Sequence, residues 1–377
     1  MNLVPGNIEV IIYTPQELNQ SSYFITGLFE LEAKGKIKCR TQINFNKNKG
    51  VVSVRDNQVT IERRPHLKTS FFRVKDNADR KEVDFAIDAY DLADNYCEEA
   101  LRKCKYIFKR NYDHNIAEVL MKKYPARILP LGLTFFVRSS NMRNTRKFFA
   151  GFMTGAILRS IKADRKIISR ILREYKKGLN DWNTFLGTRE IREYNDYEKP
   201  TQNKVVFQTR CFTGDHENTK KIHKDRNELI KALKAGLGDS FMGGFVPDDI
   251  SRKNFPESLT TLPTDRTSYL KLLKSASIAI YTSGLHNSPA WKMGEYLSQG
   301  KCIVAEPLTA ELPVPLEHGK NVLFFKDAEE CVAMCRSLIN DQDKVQALSV
   351  NSRKFYEEYV DPAMNAERII KIVINGQ

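Results

Sequence analysis

The stretch SIAIYTSGLHNSPAWKMGEYLSQGKCIVAEPLTAEL, Ser277 to Leu312, decides the fold. SIAIY is a short apolar run with β-branched residues, the right length for a buried strand. Thr282 to Asn287 reads as a loop. Ser288 has the character of a helix N-cap, with Pro289 at the first helical position. The pattern predicts a helix to about Gln299, stopped by Gly300. A second strand follows over Lys301–Ala305. This is the strand–loop–helix–strand repeat of a parallel sheet, with its loop at a strand's carboxyl end, where such sheets bind ligands.

On that helix Ala290, Met293, Gly294 and Leu297 share the face that packs on the sheet. Lys292, Glu295 and Gln299 lie opposite. A helix starting at Ser288 offers unpaired N–H groups to a phosphate. Glu295 lies ~9 Å further along the axis from Pro289 at the helical rise. That matches the reach from a diphosphate to the hydroxyls of its ribose, and a carboxylate accepts from both. The plainer reading pairs Glu295 with Lys292 one turn back, a surface pair worth a few tenths of a kcal/mol.

A helix near Ser288, then GEYLSQGK, an apolar strand, EPL, ELP and HGKNVLFF resembles the donor half of GT-B-fold glycosyltransferases. The resemblance is most specific over 265–330 and weaker over 204–264. It implies an α/β fold of two Rossmann-like doubly wound domains facing a central cleft. It also implies that Glu295 binds the ribose of a nucleotide sugar. Arg210, after the strand Lys204–Thr209, stands where an Arg or Lys neutralises the donor diphosphate. Lys221 is a further cation for the donor, as are the neighbouring Lys220 and Arg226. His286, Asn287, Ser288 and Lys292 complete the nucleotide loop, and Glu311 and Leu312 fall where the sugar is contacted. Retaining families carry E-x7-E. Asn287 stands at the first of those glutamates, which leaves the stereochemical outcome open.

Elsewhere the chain follows the same logic. Ile8–Tyr13 is a first strand, with Thr14–Gln20 as its loop and a helix from Ser22 to Ala33 closed by Gly35. No glycine-rich dinucleotide fingerprint follows this strand, which disfavours a nicotinamide enzyme. Residues 51–75 read as β structure with a turn at Asp56-Asn57. Val83–Ile87 is a strand ending in Asp88-Ala89-Tyr90-Asp91, followed by helical spacing to Lys103. Tyr106–Phe108 leads to Lys109-Arg110. Strands ending in polar clusters line one edge of a parallel sheet. Asp88 or Asp91 is therefore a candidate to orient or deprotonate an acceptor hydroxyl, with Thr14, Gln16 and Arg110 as acceptor contacts. Helix capping and a solvated turn are the plain alternatives. The expected domains are 1–140 for acceptor, 141–200 as a basic helical excursion, 201–350 for donor, and 351–377 crossing back to the first domain.

The 377 residues suit two domains, and 41% hydrophobic with 28% charged residues is ordinary for a globular protein. No run approaches the ~20 apolar residues of a membrane span, and IEVIIY follows the N-terminus with no signal-peptide pattern. Seven cysteines without a C-x-x-C or an even framework read as reduced thiols, hence a cytoplasmic setting. Asp341-Gln342-Asp343 is formally D-x-D but lies between helical segments, so it reads as a solvated turn and neither metal nor other cofactor is expected. The net charge is +14, and +10 of it falls between Arg138 and Lys177, around FFAGFMTGAIL at 148–158. Eleven apolar residues cannot span a bilayer but can lie in its surface. A helix packed against a domain is the competing account.

The leading expectation is thus a metal-independent glycosyltransferase with a nucleotide-sugar donor and a glycan or lipid-linked acceptor. It would be peripheral to an anionic membrane's inner face. A nucleotide-sugar 2-epimerase of the same fold, or an inactive relative kept for interaction, fits the same pattern. A nucleic-acid binder lacks interleaved aromatics or a known motif.

Overall fold

The computed structural model describes residues 6–44, 50–161, 167–214 and 216–376, without the side chains of Met142, Arg143, Arg159 and Ser160. In chain order the strands of the first half are β1 Ile8–Thr14, β2 Lys38–Ile43, β3 Val51–Arg55, β4 Gln58–Glu62, β5 Thr69–Asp76, β6 Lys81–Asp88, β7 Asn95–Cys97, β8 Tyr106–Lys109 and β9 Arg127–Pro130. Between and after them come α1 Leu18–Ala33, α2 Glu98–Lys103, α3 His114–Met121, α4 Met142–Ser160, α5 Ile167–Leu186 and α6 Ile191–Asn195. The second half holds β10 Gln202–Thr209, β11 Phe241–Phe245, β12 Ala276–Tyr281, β13 Cys302–Ala305 and β14 Leu323–Phe324. Its helices are α7 Glu217–Leu237, α8 Asp249–Asn254, α9 Arg266–Ser275, α10 Lys292–Ser298, α11 Ala328–Ile339 and α12 Gln342–Phe355, and α13 Pro362–Asn375 ends the chain.

The chain divides into two α/β units: Met1–Glu193 with Ala310–Pro313 and Asp361–Gln377, and Tyr194–Thr309 with Val314–Val360. Each is built around a mainly parallel sheet, the Rossmann-like class expected from the sequence. The second sheet runs β11-β10-β12-β13-β14 and is parallel throughout. Its first strand lies inside, so the winding reverses between β10 and β12. The carboxyl end of that reversal is where open α/β sheets take ligands.

The first unit departs from a plain doubly wound sheet. Its order is β2-β1-β5-β6-β8-β9, and β5 runs antiparallel to both neighbours. Only four residues, Asn77–Arg80, separate β5 from β6, and so short a loop can join only an antiparallel pair. Side chains alternate across this sheet. Phe85 and Phe108 enter one core with α1, α4, α5 and α13, while Ala86 and Ile107 enter a second with α2 and α3. A three-stranded antiparallel sheet, β4-β3-β7, adjoins the second core. Its hairpin turns at Asp56 and Asn57, whose φ of 48° and 61° are those of a two-residue primed turn. β7 and the short α2 replace the long helix expected after Asp91. Tyr96 and Cys97 pair with β3 there, which leaves only Glu98–Lys103 to coil.

The basic segment does not stand apart. Residues 141–193 belong to the first unit, where Phe148, Phe152, Met153, Trp182 and Phe185 join the core of β1 and α1. Gly151 lies so close to Thr41 that a Cβ would come within 2.5 Å of its methyl carbon. The run FFAGFMTGAIL is therefore covered by protein on its apolar face, and the bilayer role expected for it is withdrawn. α1 begins at Leu18, capped by Glu17, rather than at Ser22.

The last helix, α13, packs on α1 through Ala363, Ala366, Ile369, Ile370 and Val373, all buried. Gly27 permits this approach, since a Cβ there would lie 2.0 Å from the carbonyl oxygen of Pro362. Gly27→Ala is expected to force the two helices apart at a cost of about 1–3 kcal/mol. Urea unfolding should show a lower midpoint at unchanged slope. An unaltered midpoint would mean the helices yield without cost.

Candidate functional site

Both units present polar residues at the carboxyl edges of their sheets. In the first unit, Asp88 ends β6 and Lys109 ends β8, adjacent in register. Their side chains turn inward and are 1% and 0% exposed. The Lys109 ammonium donates to Asp88 Oδ1 at 3.1 Å and to the Asn95 carbonyl at 2.7 Å, and lies 4.6 Å from the Tyr96 ring centre. Asp88 also accepts from Thr69 and from the Tyr90 N–H. Burial pushes the Asp88 carboxyl up, but Lys109, His66 and these donors outweigh it, and it stays below the usual carboxylate range. His66 stacks on Tyr90 and faces Asp88 at 3.8 Å; burial holds its pKa low.

This arrangement corrects the expected role of Asp88. A carboxylate closed off from solvent and bonded on both oxygens does not reach an acceptor hydroxyl. Asp91, three residues on, is 24% exposed on its side chain, paired with Arg110 and with Lys68 at 2.6 Å. Burial raises its pKa, but Arg110 and Lys68 outweigh that and hold it low. Such a carboxylate orients a hydroxyl better than it removes a proton. Arg110 is itself buried, and its Nε has no hydrogen-bond partner. Thr14 is buried, with its hydroxyl turned to the Gln42 and Gly151 carbonyls. Gln16 donates to the Tyr13 carbonyl. Glu311 and Leu312, expected beside the donor, belong to this unit instead: the Glu311 N–H donates to the Tyr112 carbonyl, and its carboxylate accepts from the His114 N–H.

In the second unit the winding reversal is held by a residue the sequence ranked low. Arg226 on α7 is 5% exposed. Its guanidinium donates to Thr282 Oγ1 at 3.1 Å, the Ser283 carbonyl at 3.0 Å and the Arg210 carbonyl at 3.3 Å, and lies over the Phe212 ring. Glu306, the residue after β13, accepts from the Ser283 N–H at 2.7 Å; burial pushes its pKa up, opposed by that bond and by Arg226. His223 accepts the Phe212 N–H on Nε2, and burial keeps it below its ordinary pKa.

Around this tie, Arg210, Lys221, His286 and Asn287 are exposed. His286 and Asn287 have φ of 55° and 54°, and the His286 N–H is fixed by Asn218 in the first turn of α7. Among the described residues the His216 side chain makes no capping bond to α7, the helix that follows β10. The helix expected from Ser288 starts only at Lys292. Ser288 is buried and extended, its N–H bonded to the Leu285 carbonyl, and the Ala290 N–H donates to the Tyr281 hydroxyl. The two left-handed residues before it send the chain across the strand end instead of into a helix. α10, seven residues long, is too short to serve as a phosphate site. Lys292 packs on Tyr269, with Nζ 2.7 Å from its hydroxyl. Glu295 accepts from the Tyr194 hydroxyl at 3.2 Å. Asp341 caps α12. Among the described residues no three His, Cys, Asp or Glu side chains are grouped to hold a metal.

No protein-family model matches the chain. No curated protein matches it either. Among solved structures it is similar to the C-terminal domain of a glycosyl transferase group 1 family protein (LpcC) from Francisella tularensis, with 15% identity over 45% of this chain and 91% of that one, at a TM-score of 0.30. It is also similar to a UDP-N-acetylglucosamine 2-epimerase, described as such only by resemblance, from Listeria monocytogenes, with 13% identity over 72% of this chain and 60% of that one, at 0.35. TarM matches at 11% identity over 96% and 97%, at 0.38.

The buried Lys109–Asp88 pair yields a test of the first unit. Lys109→Met removes the counter-charge and leaves Asp88 buried without it, a loss of about 3–5 kcal/mol at neutral pH. In the wild type the depressed Asp88 pKa gives stability that is present above the unfolded carboxylate value and lost as pH falls through the folded one. In the variant that pKa rises, so the deficit should shrink between pH 7 and about 4. Urea titrations at both values read it. An equal deficit at both would show that packing, not charge, is lost.

Proposed function

We propose that this chain is a glycosyltransferase, moving a sugar from a nucleotide-sugar donor held by the second unit to a hydroxyl of a glycan or lipid-linked acceptor held by the first. The observation that carries the reading is the reversal at β10 and β12. There an exposed Arg210, the N-terminus of α7 and the left-handed pair His286-Asn287 lie at one strand edge, with the His286 N–H held by Asn218 of α7. Backbone N–H groups and a guanidinium suit a diphosphate. In the transfer the bond from the anomeric carbon to the donor phosphate oxygen breaks, the acceptor oxygen takes its place, and the acceptor's proton leaves to the departing diphosphate or to water. Charge then grows on the departing diphosphate, where Arg210 and the α7 N-terminus would stabilise it. Glu295 would accept from the ribose, and Asp91 would orient the acceptor hydroxyl.

Glu306 favours a second reading. It is a carboxyl of raised pKa in the donor unit. A group of that kind suits proton removal from a bound sugar, as a nucleotide-sugar 2-epimerase requires. Donor incubated alone separates the two, because only an epimerase converts it without acceptor.

Thermal-shift measurement against nucleoside diphosphates and their sugars is the first test. A ligand at a hundred times its dissociation constant should stabilise by ~2.7 kcal/mol. Arg210→Ala should weaken a diphosphate more than the bare nucleoside, and Glu295→Gln should weaken both by roughly 1.5–3 kcal/mol. Asp91→Asn should keep donor binding and lose transfer. No shift with any nucleotide would overturn the proposal, and equal losses for both ligands in Arg210→Ala would remove the diphosphate role.

A further inference from the structure

Helix α5 carries one apolar arc along its whole length, with residues three and four apart on one side. The arc meets two different environments. Toward the C-terminus, Trp182 and Phe185 are buried in the first unit's core, with Leu179 and Leu186 packed against it. Toward the N-terminus the same arc continues past the core. Ile168, Leu172 and Tyr175 are 71%, 53% and 44% exposed. The polar side of this half carries Arg170, Arg173, Lys176 and Lys177 against a single acid, Glu174, which Arg173 meets at 3.4 Å.

A run of aliphatic and aromatic side chains in water is costly to leave uncovered unless a partner takes it. The surrounding charge decides among partners. A second copy would bring four cations against four. A nucleic acid would meet the cations but has no use for Ile168 and Leu172. A bilayer with anionic headgroups matches both halves: phosphates for the cations, acyl chains for the aliphatic residues, and the boundary between them for Tyr175.

We propose that the exposed face of the N-terminal half of α5 docks on an anionic lipid surface, lying in it without crossing it. Among the described residues no helix is long and apolar enough to cross a membrane. The apolar anchor is Ile168, Leu172 and Tyr175, not the run at 148–158, which the core has covered. The proposal does not rest on the glycosyltransferase reading, since it concerns a surface that holds no nucleotide.

The test is co-sedimentation of the full chain with vesicles, without nucleotide. Phosphatidylglycerol–phosphatidylcholine vesicles should bind the wild type at low salt and release it as salt is raised, and phosphatidylcholine alone should not bind it. Ile168→Ser, Leu172→Ser and Tyr175→Ser together should lower partitioning roughly ten-fold or more, as should Arg173→Gln, Lys176→Gln and Lys177→Gln together. Circular dichroism melts check both variants. If the serine variant melts early, the glutamine variant, whose changes are all on exposed side chains, decides. Wild type that stays in the supernatant, or variants that sediment like wild type, would overturn the proposal. So would a concentration-dependent dimer that the serine variant abolishes, or RNA binding that only the glutamine variant loses.

Discussion

The buried guanidinium of Arg226 is the contact on which the second unit's ligand edge depends. Taking an arginine out of water costs several kcal/mol unless its donors are met. Here a hydroxyl and two carbonyls meet them, an aromatic ring lies beneath, and Glu306 adds its field. The three hydrogen-bonded groups come from the chain leaving β10 and the chain leaving β12. The charge therefore joins the two loops that diverge at the winding reversal. With Arg226 occupied in that way, it is not available to a diphosphate, and the solvent-facing Arg210 is.

The first unit solves the same problem with opposite charges. Lys109 and Asp88 end adjacent strands, and their pairing fixes how β6 and β8 deliver the residues beyond them. Asp91 and Arg110 follow directly and pair with each other, Asp91 partly exposed and Arg110 buried. In both units the buried charges organise the strand ends. The partly exposed Asp91 and the exposed Arg210 stand just beyond them. A sequence pattern cannot separate the two classes, because burial depends on which strand lies alongside.

That explains what was and was not legible. The apolar strands β10, β12 and β13 were readable because both faces of a parallel sheet are covered, which leaves uninterrupted runs. Arg210, Asp91 and Arg110 were singled out from their place at strand ends, and of these Arg110 proves buried. Lys109 was read only as part of a polar strand end, with a solvated turn as the alternative, since nothing local reveals that Tyr96 and Asn95 return over it. Ser288-Pro289 carries every local mark of a helix start. It fails as one because His286 and Asn287 adopt a left-handed backbone, and Tyr281 accepts the Ala290 N–H. Gly300 was read as a helix stop and Lys301 as the start of a strand, and only the resemblance set the pair beside a nucleotide site. In the structure Lys301 is buried and donates to the carbonyls of Lys274 and Ala276, and burial draws its pKa down to about 7. It closes the end of α9 rather than touching a ligand.

Glu295 joins these observations. It sits one turn into a short helix whose far end receives the chain entering the second unit. Gln299 Nε2 donates to the Tyr194 carbonyl at 2.9 Å, Arg353 donates to the same carbonyl, and the Tyr194 hydroxyl reaches back to Glu295. The residue assigned to the ribose is thus pre-set by a tyrosine before any nucleotide arrives. Its rotamer is fixed by packing outside the loop that would hold the phosphates. In the proposed function the phosphate contacts would depend on the loops that Arg226 joins and the ribose contact on Tyr194, so the two halves of a nucleotide would be received by separately braced parts of one sheet edge.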